Sequence, residues 1–61
     1  MINIGEIWRD VWNLDYVQVL DVSNGRVRAF QLENQLGECD GWIDSWNKEA
    51  FLCCFKKEKG L

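Results

Sequence analysis

Two six-residue stretches carry most of the side chains that could do chemistry. Trp8-Arg9-Asp10-Val11-Trp12-Asn13 and Trp42-Ile43-Asp44-Ser45-Trp46-Asn47 share the frame Trp-x-Asp-x-Trp-Asn. Trp residues four apart lie on one side of the chain in a strand or a helix, and in a strand the intervening Asp joins them. Ring faces with a carboxylate beside them can hold a substituted ammonium. Trp with Asp and Asn can also stack on a sugar or a base. The same rings serve equally to fill a core, because Trp is highly buried on average. The shared frame is too short to mark a duplicated unit. Trp12 and Trp46, beside Asn13 and Asn47 in expected loop or turn, are the two expected to be exposed. Exposed Trp with Arg9 among them has the composition of a protein-contact hot spot. The candidate contact surface is therefore Trp8, Arg9, Asp10, Trp12, Tyr16, Trp42, Asp44 and Trp46.

Catalytic chemistry is poorly supplied. The chain has no His, so the commonest general base and metal ligand is missing. Cys39, Cys53 and Cys54 have no identifiable base or cation to form a thiolate, and Asp10, Asp15, Asp40 and Asp44 are read as solvated charge. The expectation is a non-enzyme without cofactor. Three Cys without a Cys-x-x-Cys pair do not match structural-zinc spacing, so no metal site is expected. An odd Cys count with an adjacent pair also fails as a disulfide framework. The cysteines are read as reduced, with one of the pair packed inward.

These residues must be positioned by a small fold. Sixty-one residues allow one domain. Such a chain buries only about 60% of its unfolded surface, so four Trp, three Phe and one Tyr must supply much of the core. The strongest local signal is Tyr16–Val22 and Arg26–Leu32, two β-rich runs flanking Ser23-Asn24-Gly25. Asn-Gly favours a two-residue type I′ turn. That turn sets Ser23 against Arg26, Val22 against Val27 and Asp21 against Arg28. Further out it predicts Leu20 against Ala29, Val19 against Phe30, Gln18 against Gln31 and Val17 against Leu32. In this register both strands exchange their apolar face at one level, as a strongly coiled hairpin in a small barrel would. Ile4–Trp8 reads as a first strand and Arg9–Leu14 as its loop. Asn34–Gly41 reads as a loop, Trp42–Asp44 as a short strand, and Ser45 as the cap of a helical turn through Ala50. Phe51–Phe55 reads as a final strand. Residues 1–55 form the expected domain and 56–61 a polar C-terminal tail.

This order resembles the SH3-like small-barrel superfamily, including its Tudor and KOW types. The resemblance rests on Gly5-Glu6-Ile7-Trp8, the Asn24-Gly25 hairpin, Trp42, and the short turn before Phe51. It covers most of the chain as a pattern, without a family motif. It implies a mostly β, five-stranded, partly open barrel used for binding more than catalysis.

The net charge of −3 argues against a general nucleic-acid binder, and the acidic residues are scattered rather than in rows. No signal peptide or membrane-length apolar run is evident, so a cytoplasmic protein is expected. The expected function is a small protein-binding module, of the size class of phage or mobile-element accessory proteins, some of which inhibit host proteins. Self-association through an edge strand belongs to the same reading. The alternative is an aromatic-cage module for a ligand or nucleic acid. No membrane partner is expected.

Overall fold

The computed structural model describes residues 1–58 and is mostly β: one five-stranded antiparallel sheet with one short helix. The strands are β1 (Ile7–Asp10), β2 (Tyr16–Ser23), β3 (Arg26–Glu33), β4 (Ile43–Asn47) and β5 (Phe55–Lys57), and helix α1 spans Lys48–Cys54. Their order across the sheet is β4-β3-β2-β1-β5, so the last strand returns to pair with the first. The sheet is open, with β4 and β5 as its two edges, and is not a closed barrel. No helix among the described residues is long and apolar enough to cross a membrane.

The hairpin forms around the expected turn. Asn24 and Gly25 both have positive φ, at 52° and 72°, as a type I′ turn requires. Ser23, Val22 and Asp21 face Arg26, Val27 and Arg28 as expected. Beyond that the expected register fails. Leu20 has no partner, and Val19, Gln18 and Val17 face Ala29, Phe30 and Gln31. A second shift leaves Leu32 unpaired, so that Tyr16 faces Glu33. Each extra residue is a bulge that bends and twists the ladder.

The bulges also correct the expected exchange of faces. β2 does switch: Val17 and Val19 are buried, Leu20 turns outward, and Val22 packs back on the core. β3 does not switch. Val27, Ala29 and Gln31 alternate inward without a break and are fully buried. Phe30 and Leu32 lie on the opposite face. The buried Gln31 takes the inward position that Phe30 and Leu32 would fill if β3 switched.

The core is Ile2, Trp8, Val17, Val19, Val27, Ala29, Phe51 and Phe55, with Val22, Trp42, Trp46 and Cys54 packed against it. Its centre is aromatic. Phe51 and Phe55 stack with ring centroids 4.3 Å apart, and Trp8 meets Phe51 edge-on at 5.2 Å. Trp46 touches Phe51 and Phe55 at 5.6 and 5.0 Å. Residues from the two edge strands thus share one core, although those strands do not pair.

The chain ends of several elements differ from expectation. β1 begins at Ile7 because Gly5, at φ 89°, kinks the chain ahead of it; β1 then runs through Arg9 and Asp10. β4 continues past Asp44 to Asn47, because Trp46 pairs with Val27 and Asn47 with Arg26. Asn47, not Ser45, caps the helix, its side chain accepting from Ala50 N at 2.7 Å. The segment expected as the last strand is mostly helix, which turns Phe51 into the core and leaves Cys53 exposed. All three cysteines are free, and Cys54 is half-buried against the core. β5 includes Lys56 and Lys57, which were expected in the tail. Residues 59–61 of that tail lie outside the described residues.

Candidate functional site

The connection from β1 to β2 is only five residues long, 11–15, and Asp10 organises it. Asp10 Oδ1 accepts from Trp12 N at 2.7 Å and Asn13 N at 3.1 Å, while Oδ2 accepts from Asn13 Nδ2 at 3.4 Å. Backbone bonds close the turn on both sides: Leu14 N donates to Asp10 O, and Asp10 N to Asp15 O. Val11 N donates to Cys54 O, tying the turn to the end of α1. An Asp at the head of a turn is suited to this, since its oxygens reach the amides that follow.

The turn presents apolar surface. Trp12 is 76% exposed, with Val11 and Leu14 partly exposed beside it. Leu14 sits at φ 63°, a left-handed conformation that costs a non-glycine residue about 1–2 kcal/mol. Gly or Asn fits there more easily. The fold therefore carries both strain and exposed hydrophobic area in one short turn.

The other expected site residues separate. Trp8 is buried, and its Nε1 donates to Glu6 Oε1 at 3.3 Å. Trp8 thus belongs to the core and not to a contact surface. Trp42 and Trp46 meet edge-on at 6.4 Å and lean on the core, so Trp46 is half-buried where exposure was expected. Asp44 is exposed, its Oδ1 accepting from Ser45 N at 2.8 Å. Arg9 and Tyr16 come together on the outer sheet face, the guanidinium 5.2 Å from the ring centroid, a cation–π pair. The shared Trp-x-Asp-x-Trp-Asn frame thus adopts two different structures. Its first copy is a strand end and a turn, with one Trp inside and one outside. Its second is mainly strand, with both Trp against the core.

Three surface concavities lie near these elements. One of about 490 Å³ is lined by Arg9, Val11, Leu14, Lys56, Lys57 and Glu58. A second runs along Ile4–Ile7, and a third is bounded by Ile7, Tyr16, Leu32 and Glu33. No tryptophan lines any of these three. Among the described residues no three His, Cys, Asp or Glu side chains are grouped to hold a metal ion. The sequence reading missed Val11, Leu14, Lys56 and Lys57. The paired lysines at the end of an apolar run were the available signal for a basic last strand.

Two carboxyls have perturbed acidity. Glu6 is brought down to about 2, chiefly by Lys57, whose Nζ lies 2.7 Å from Oε2, and then by the Asn3 amide. Its ionised form favours folding above the ordinary value of 4.5, and that contribution is lost as pH falls toward about 2. Asp15 moves the other way. Burial raises its pKa, and Asp10 and Asp40 add repulsion. Gln31 Nε2 is near enough to favour the charged form, without reaching hydrogen-bond geometry. Ionised Asp15 therefore weakens the fold above its folded-state pKa. Asp15→Asn is expected to raise the thermal midpoint at neutral pH. The gain should vanish as pH falls below the ordinary value of 3.8, where both proteins are neutral at this position. Melting curves of the two proteins at pH 7 and at about pH 3 check this.

In comparisons with known proteins, no family model, no curated protein and no solved structure matches this chain.

Proposed function

We propose that this protein is a small non-enzymatic binding module whose partner is another protein, and that the β1–β2 turn is its contact. The carrying observation is Trp12, 76% exposed on a turn that Asp10 and backbone hydrogen bonds hold in one shape. A chain of this size has few large side chains to spare, and Trp is the residue most often found at binding hot spots. Holding Trp12 in place before binding lowers the ordering cost of association. The SH3-like assignment is part of the proposal. It is supported by the strand order, the return of β5 to β1, and the short helix before the last strand. The link to phage or mobile elements, and to inhibition of a host protein, rests on chain size alone.

Trp12→Ala is expected to weaken partner binding by about 2 kcal/mol or more, roughly 30-fold. The thermal midpoint should stay nearly unchanged, because the side chain contributes little burial. Capture of a discrete protein by wild type but not by the variant, with melting curves recorded on both, checks this. Equal capture would remove the turn as the contact. Self-association is favoured by a separate observation. Among the described residues β4 has no strand on its outer side, whereas β5 carries two lysines that discourage pairing. Sedimentation of the pure protein distinguishes a dimer from a monomer.

A further inference from the structure

The groove beside the Trp12 turn has a charge pattern that specifies what could enter it. In the β1–β5 ladder Arg9 lies directly opposite Lys56. Like charges at such positions repel. Among the described residues neither has a carboxylate within ion-pair distance; the one ion pair is Lys57 with Glu6. Arg9 Nε is shielded from solvent and has no acceptor. Arg9, which lines the groove, has its planar guanidinium laid over Tyr16, 5.2 Å from the ring centroid. With Lys57 engaged by Glu6 and with Glu58 in the same lining, one positive charge is left unbalanced among the described residues. Val11 and Leu14 supply an apolar wall, and Trp12 follows Val11 in the turn.

We infer that this groove receives a single carboxylate flanked by apolar side chains, as in an acidic-apolar segment of a partner protein. The carboxylate sits between Arg9 and Lys56, where an Arg–carboxylate contact is charge-assisted. Its apolar neighbours rest on Val11 and Leu14, which line the groove. A nucleic-acid backbone is disfavoured, because it needs a run of cations and this chain has a net charge of −3. A dianion is disfavoured by Glu58. The inference rests on the reading of the Trp12 turn as a protein contact and adds the chemistry of the partner.

The test uses the full chain labelled with ¹⁵N and three probes: acetyl-Leu-Glu-Leu-amide, its Gln counterpart, and inorganic phosphate. Expected are saturable shifts at Arg9 Nε–H and at the Val11 and Leu14 amides with the Glu peptide. Binding should be about tenfold weaker with the Gln peptide and weaker at high salt. Lys56→Gln, an exposed position, should weaken the Glu peptide several-fold at a thermal midpoint no lower than that of wild type, and Arg9→Gln should weaken it at least as much. Equal binding of both peptides, tighter binding of phosphate, or shifts centred away from these residues would each overturn the inference. Its failure is separable from failure of the Trp12 reading. If Trp12→Ala abolishes partner capture while Lys56→Gln and Arg9→Gln do not, only the groove assignment falls.

Discussion

Phe51→Ala is expected to remove about a third or more of the chain's folding stability. Phe51 is completely buried and lies at the junction of Trp8, Trp46 and Phe55. It is also the one buried residue of α1, so it anchors the helix to the sheet. Replacing a buried Phe by Ala costs about 3–5 kcal/mol. A 61-residue domain has a total stability of only about 3–9 kcal/mol at typical per-residue values. The three other rings would face a void that a short helix and an edge strand are poorly placed to fill. Urea unfolding followed by Trp fluorescence gives the loss directly. A loss below about 1 kcal/mol would mean that the aromatic cluster is not the core.

Gln31→Leu is the second large effect, and its cause is polar. Gln31 is fully buried, and its Oε1 accepts from Asp40 N at 2.8 Å and Gly41 N at 3.0 Å. Its backbone N–H donates to Trp42 O at 2.8 Å. One side chain thus fixes the end of the 34–42 loop just before β4 begins. Leu has nearly the same volume but no acceptor. Two partly buried backbone amides would lose their partner, while the unpartnered Gln31 Nε2 would be removed from the interior. The expected loss is roughly 1–2 kcal/mol, and the Asp40 and Gly41 amides should exchange much faster. Unchanged exchange at those two amides would show that the loop is held by something else.

Gln31 also explains why the sequence could be read only part of the way. The Asn24-Gly25 turn was legible because its chemistry is local: two positive-φ residues, and a register that follows for three pairs. The bulges at Leu20 and Leu32 were not legible, because neither residue type signals one. A buried Gln is paid for by loop amides far along the chain, which no strand pattern contains. The helix cap shows the same limit. Ser45 and Asn47 are both good caps, and the choice fell to Asn47 because pairing with β3 carries β4 that far. Of the contact surface, Trp12 was legible from its turn context. The exposure expected for Trp46 was not borne out, since the longer β4 draws its ring onto Phe51 and Phe55. The groove was invisible while Lys56 and Lys57 were read as a tail.

The proposed function depends on how the four tryptophans divide: Trp8, Trp42 and Trp46 pack in or against the core, and Trp12 is exposed. Attenuation of the four indole N–H signals by a soluble paramagnetic agent tests that division in one measurement. The predicted result is strong loss of the Trp12 signal, partial loss for Trp42 and Trp46, and protection of Trp8. A Trp12 indole as well protected as that of Trp8 would contradict the account.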